Sequence, residues 1–237
     1  MLRAQNLAER CLDRLLGVSG PVRRLVLASF LSTAGDRIHQ VALVALILSV
    51  TGSLAQAGLV FIVSTLPYLL FGLVSGALVD HFDRRRTLIT LDLARAAIVL
   101  ALPFAAGLSL SMVYPLLFLL TCGGIVYKPA GQAALPELVK GEDLIRANSL
   151  LQFSSYLADL LVFPLGAALV TFMVAQFGPY RGTQFAFGLD SMSYVASAVL
   201  LCRLPLVRRV ASRARLTVGG LKRQIGAGLQ YMWTNPQ

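Results

Sequence analysis

Two stretches of this chain, 38–79 and 96–127, contain no Lys, Arg, Asp or Glu. A helix crosses the hydrocarbon core of a bilayer in about 20 residues, so each stretch is long enough for two crossings and must contain a turn. The turns are legible as Thr51-Gly52-Ser53 in the first and as 107–111 in the second. Two more apolar stretches follow, 147–174 interrupted by Asp159 and 182–202 interrupted by Asp190. The expectation is an all-α integral membrane protein with six transmembrane helices, at 25–50, 55–79, 87–108, 112–135, 147–174 and 184–203. Starting the first span at Ile38 would strand the apolar 25–35 outside the bilayer and bury the Thr51 turn in a helix. Asp36 and Arg37 therefore belong inside it.

Composition agrees: 57% of residues are hydrophobic and 14% charged, against about 25% charged in soluble domains. A net charge of +10 would raise nucleic acid as a partner for a soluble chain. Here every Lys and Arg of the 21 except Arg37, Arg95 and Arg181 is expected on one side of the six-span topology. Cytoplasmic loops retain cations, so the charge reads as a topological label that puts both termini in the cytoplasm. No nucleic acid need be invoked. Residues 1–24 carry an amphipathic stretch, 4–16, that suits a helix lying on the inner leaflet. Residues 204–237 read as a basic linker followed by a second surface helix from 219 to 234.

Several chemistries have no material to work with. Cys11, Cys122 and Cys202 fall in a cytoplasmic segment and two spans, which argues against a disulfide framework. His39 and His81 stand in no zinc-binding spacing. No phosphate-binding G-x-x-x-x-G-K-(S/T) occurs. No cofactor or metal is expected. Gly17-Val18-Ser19-Gly20 spells the G-x-S-G of an intramembrane hydrolase, but it lies in a polar segment, and no histidine follows His81 to act as base.

The segment "GALVDHFDRRRTL", 76–88, resembles the signature loop of the major facilitator superfamily, with Gly76, Asp80, Arg85 and Arg86 in the matching places and Arg84 beside them. His81 stands where a fixed cation is usual, and Asp83 replaces the turn glycine, a residue well suited to cap the next helix. A second stretch, "KPAGQAALPELVKGEDLIRANSLLQ", 128–152, is similar to the enterobactin-exporter and macrolide-efflux-like branch, with Gly131 in place of that branch's arginine. Asp190 and "GLQYMWTNP", 228–236, also resemble it. The resemblance spans nearly everything from Leu25 onward. It implies the N-terminal half of a major facilitator fold, built as a 3+3 inverted repeat in a bacterial-type inner membrane. The implied function is proton-coupled efflux of a small organic molecule by alternating access, with a C-terminal six-helix half as partner, from the same polypeptide or a second copy. It also implies that Gly76, Asp80 and Arg84 to Arg86 form a cytoplasmic latch. The other readings are a non-transporting six-span protein or a half-transporter subunit, and, remotely, the hydrolase.

Ionised groups at mid-membrane cost about 2.5–3.5 kcal/mol on insertion scales, so each needs a partner or a task. Span one carries Ser29, Ser32, Thr33, Asp36 and Gln40 on one helical face, and span five carries Asn148, Gln152, Ser155 and Asp159. Two readings stay open for Asp36. In one it is neutralised by Arg37 or Arg95 as part of the helix packing; in the other it faces an aqueous cavity and titrates with transport. Asp36, Arg37, Gln40, Gln152 and Asp159 are thus the candidate substrate and proton pathway, with Asp159 leaning to structure or gating. Asp92 and Arg95, three apart, are expected to form a structural ion pair. Gly72, Gly76 and Gly166 are expected at close helix contacts.

Overall fold

The computed structural model describes residues 18–79 and 82–205. The surface helices expected at 4–16 and 219–234, the bulk of the basic linker, and Asp80 and His81 lie outside the described residues.

Helix α1, Gly20–Thr51, starts behind an extended Ser19 with Pro21 in its first turn, where the missing N–H costs nothing. It ends where Gly52 adopts φ 63° and its N–H bonds the Leu48 carbonyl at 2.8 Å, a left-handed cap that glycine provides without strain. Asp36 and Arg37 sit in its interior. Helix α2, Leu54–Val79, follows directly. Asp83 caps helix α3, Arg84–Leu108, by accepting the Arg86 N–H at 3.0 Å. Ser109 alone separates α3 from helix α4, Leu110–Leu138. Lys128 lies within α4 and Arg146 within helix α5, Glu142–Phe177.

Helix α5 widens into a π-turn at Ala158–Val162. Pro164 has no N–H to offer the Leu160 carbonyl, and the wider turn falls where that bond is missing. Gly178, at φ 82°, joins α5 to helix α6, Pro179–Cys202. All six helices are long and apolar enough to cross a membrane.

Helix α6 packs on α1 and α3, α4 on α2 and α3, and α5 on α6 and α1. Exchanging the first three helices for the last three maps the α1–α6 pairing onto α3–α4 and α2–α4 onto α1–α5, and leaves α3–α6 unchanged. Five of the six pairings therefore follow the symmetry of a 3+3 repeat; the sixth, α5–α6, would map onto α2–α3, which is not among the principal contacts of the described residues. Two apolar cores result. One gathers Leu43, Leu46, Val99, Leu102, Leu117 and Phe187; the other gathers Val22, Leu25, Leu88, Leu135, Leu201 and Leu204. Between them, at the same level of α1, α3 and α6, lies a buried polar layer.

Glycine placement departs from expectation. Gly166 does pack closely, since a Cβ there would stand 3.2 Å from Ile38, but Gly72 and Gly76 meet nothing within 4 Å among the described residues. The tight contact against backbone is Gly182, where a Cβ would lie 2.6 Å from the Met173 C and O and the Val174 Cα. Backbone cannot rotate out of the way, so Gly182→Ala should destabilise the α5–α6 hairpin by about 1–3 kcal/mol through overpacking. Thermal unfolding in detergent checks this; an unchanged midpoint contradicts the tight hairpin.

Candidate functional site

Arg95 is the hub of the polar layer. Its Nη2 donates to Asp36 Oδ1 at 2.5 Å and its Nη1 to Ser32 Oγ at 3.0 Å. The guanidinium lies 4.3 Å from the centre of the Tyr194 ring and 5.6 Å from that of Tyr127, so two aromatic faces help hold the cation. Tyr194 donates its hydroxyl to the same Asp36 oxygen. Ser32 donates in turn to Asp92 Oδ1 at 3.3 Å. The side chain reaches α1 because α4 offers no obstruction: a Cβ on Gly123 would stand 3.0 Å from Arg95 Cγ.

The pair expected within α3 is present but long. Arg95 Nη1 stands 3.8 Å from Asp92 Oδ1, and the tight partner is Asp36 on α1. Helical spacing of three places the two Cα atoms side by side, but an extended arginine puts its charge about a turn away from its own backbone, toward the neighbouring helix. Of the two partners considered for Asp36, Arg95 is the one it bonds. Arg37 turns instead to Asp159, Nε to Oδ1 at 2.5 Å, and to Gln40 at 2.9 Å.

A cavity of about 280 Å³ opens on this layer, with walls from α1, α2, α3 and α4. Ser32, Asp36, Arg37, His39, Gln40 and Arg95 form its polar side; Phe61 and Tyr68 of α2 and Tyr127 and Lys128 of α4 face them. The candidate residues thus divide. Asp36, Arg37 and Gln40 line the cavity. Asp159 reaches it only through Arg37. Gln152 is exposed on α5 and does not line it.

Sequence reasoning passed over His39 as a functional residue, weighing it only as a zinc ligand. Its Nδ1 lies 2.5 Å from Asp190 Oδ2, bridging α1 to α6 at full burial, and its place three residues after Asp36 on the polar stripe was the available signal. Tyr194 carried no such signal. Asp36, His39 and Asp190 do place donor atoms within 4.8 Å of one another. They do not fit a resident metal ion. Asp36 Oδ1 is taken by Arg95 and Tyr194, and His39 and Asp190 are at hydrogen-bonding distance, closer than two ligands on one ion stand at Zn–N and Zn–O lengths of about 2 Å.

At one end of the bundle the two motif stretches meet. Arg84 bonds Glu137 of the Pro-Glu-Leu-Val run at 2.7 Å. Arg85 donates to the Cys202 carbonyl and Arg24 to the Arg203 carbonyl at 3.1 Å, cations on the free carbonyls that close α6. Of the expected latch, Gly76 is exposed and Asp80 is not described. Ser19 sits at the N-terminus of α1, 20 residues from His39, or about 30 Å along the helix, so these two cannot form a nucleophile and base.

The sequence profile described as "transmembrane secretion effector" matches residues 19–237. The multidrug efflux pump Tap of Mycobacterium tuberculosis is 32% identical over 226 residues, covering 90% of this chain and 51% of Tap. Its counterpart in Mycolicibacterium fortuitum is 31% identical, covering 92% and 53%. Macrolide efflux protein A of Streptococcus pyogenes is 33% identical over 139 residues, 56% of this chain and 33% of that protein. The chain spans about half the length of the efflux pumps it matches along most of its length.

Proposed function

Because the chain belongs to the transmembrane secretion effector family of major facilitator transporters, and forms the N-terminal six-helix half of one, we propose that it exports a small organic molecule by alternating access, driven by protons. The observation that carries this reading is Asp36, a carboxylate on the cavity wall that is also the tight partner of a buried guanidinium. When it is ionised, the Arg95 bond ties α1 to α3. A proton delivered from the cavity forms the Asp36 O–H and removes half of that ion pair, so occupancy of the cavity and helix packing bear on the same residue. Phe61 and Tyr68 give the cavity an apolar, aromatic wall opposite its polar groups, the mixture that small-molecule sites use.

A second six-helix half is the proposed partner. The Arg37 and Asp159 side chains retain 22% and 46% exposure in the middle of α1 and at the π-turn of α5. Charges at that depth face protein or water rather than lipid, and a facing half with an aqueous seam supplies both. This favours a transporter over a six-span protein surrounded by lipid on all sides. The end that carries Arg24, Arg84, Arg85 and Arg203 is assigned to the cytoplasm of a bacterial-type inner membrane, following the positive-inside rule.

Everted membrane vesicles carrying the protein expressed from its own reading frame test the coupling. Drug accumulation should follow an imposed pH gradient and collapse with a protonophore, and in Asp36→Asn it should fall to the level of vesicles without the protein. Undiminished gradient-driven accumulation in that variant removes Asp36 from the mechanism.

A further inference from the structure

Among the described residues of the polar layer, one guanidinium faces two carboxylates. Asp190 has its own partner in His39, and Arg37 is committed to Asp159 and Gln40. That leaves Arg95 as the single guanidinium for two carboxylates, Asp36 and Asp92. Asp92 is fully buried; Ser32 donates to its Oδ1 over a long 3.3 Å, the Ser197 hydroxyl also stands against the carboxylate, and its Oδ2 meets no donor in hydrogen-bonding geometry. One donor among the described buried side chains is also unmatched, and it is Arg95 Nε. The orphaned donor and the orphaned acceptor belong to residues three apart on α3.

We propose that Asp36 and Asp92 share one proton, and that Arg95 moves between them as the counter-charge. In the arrangement seen, Asp36 is ionised and bonded to Arg95, and Asp92 carries the proton. In the alternate arrangement, Asp36 takes a proton from cavity water and its bond to Arg95 breaks. The guanidinium closes on Asp92, where its Nε–H meets Oδ2. The Asp92 O–H bond breaks, and its proton leaves through the Ser32 hydroxyl, which borders the same cavity. One proton enters and one leaves, and the triad stays neutral in both states. An ionised, unpaired carboxylate in so buried a place is far costlier than a neutral acid, so the two sites exclude simultaneous ionisation while only one cation serves them.

The other groups around Asp92 leave this exchange intact. From α4, Tyr127 faces it with its hydroxyl 3.2 Å from Ser197 of α6. From α6, Tyr194 bonds Asp36, and Asp190 is held by His39. From α1, Ser32 and Asp36 complete the surround. Gly123 of α4 leaves the arginine stem room to move without a Cβ beside it.

The sharing rests on the structure alone; only its use in transport rests on the proton-coupled function. Infrared difference spectroscopy of the protein in lipid vesicles, following the C=O stretch of protonated carboxylic acids at neutral pH, tests it. Wild type should show a buried-acid band, and both Asp92→Asn and Asp36→Asn should lose it. The first variant has nowhere to put the proton. The second frees Arg95 to pair with Asp92, which then ionises. A band kept in Asp36→Asn makes Asp92 an independent acid, a band kept in Asp92→Asn puts the proton elsewhere, and no band in wild type means no shared proton; each overturns the proposal. Both variants keep one carboxylate per guanidinium and should fold, which a thermal scan verifies. If either fails to fold, Asp92→Glu should keep the band at a shifted frequency, and an unshifted band overturns the assignment. Gradient-driven flux in the same vesicles separates the two ideas. Coupled flux without the band pattern leaves the proton-driven function standing and removes the sharing. The band pattern with gradient-insensitive flux keeps the shared proton and removes the coupling.

Discussion

Arg95→Gln is expected to abolish transport and to lower the thermal stability of the detergent-solubilised protein more than any other single polar substitution in the bundle. Arg95 is buried, bonds Asp36 at 2.5 Å and Ser32 at 3.0 Å, approaches Asp92 at 3.8 Å, and stacks over Tyr194. Glutamine could reach one of these partners with a neutral amide, leaving the Asp36 carboxylate without its cation. Removing one member of a buried ion pair costs about 3–5 kcal/mol, chiefly through the charge left behind. That origin makes a specific rescue available: Arg95→Gln combined with Asp36→Asn should recover much of the lost stability, because the orphaned charge goes with the second substitution. Transport should not return, since no carboxylate then faces the cavity. Arg95→Lys should rescue poorly, because a single ammonium cannot span Asp36, Ser32 and two aromatic faces as the planar fork does. A midpoint unchanged in Arg95→Gln would sink the view that this residue holds α1 and α3 together.

The sequence made the helices legible because the bilayer imposes a length and a polarity on each span. The charge-free stretches 38–79 and 96–127 and the turn at Gly52 correspond to four of the six helices, and the placement of Asp36 and Arg37 inside α1 follows from the same rule. The polar stripe of α1 also points at the cavity, since Ser32, Asp36 and Gln40 all line it. What stayed hidden is every pairing that crosses helices. Periodicity shows which residues share a face, and for Asp92 and Arg95 it suggested each other; the length of the arginine side chain and the missing side chain at Gly123 redirected the charge to α1. His39 and Asp190 lie 151 positions apart, so no local pattern could join them. The π-turn that carries Asp159 follows from Pro164 only once the helix is known to continue through it.

Gly35→Ala should be nearly as damaging as loss of Arg95, for a steric reason. Gly35 lies on α1 where it meets α6, and a Cβ there would stand 2.0 Å from Asp190 Oδ1 and 2.1 Å from Ser193 Oγ. Neither atom is the free end of a flexible chain. Asp190 is fully buried with His39 Nδ1 at 2.5 Å, and Ser193 bonds the Asp190 carbonyl at 2.7 Å. Alanine must therefore either push α1 away from α6, its most extensive packing partner, or force the carboxylate off His39. Overpacking of this kind costs about 1–3 kcal/mol, and a buried polar group left without its hydrogen-bond partner about 1–3 kcal/mol, so a loss at the upper end of that span is expected. Gly58→Ala is the matched control. Its Cβ meets nothing within 4 Å, and alanine in place of glycine in an open helical position stabilises by about 0.4–1 kcal/mol. The pairing of Gly35→Ala with Asp190→Ala locates the cause. If the clash with Asp190 is what matters, the double variant should lose clearly less than the two single losses added, the signature of residues in contact. Simple addition of the two losses would instead place the damage elsewhere on α1. The functional consequence runs through the neighbour: Asp36 follows Gly35 directly and takes the Tyr194 hydroxyl from α6, so an α1 displaced from α6 also loosens the carboxylate that faces the cavity, and gradient-driven flux should fall with stability rather than after it.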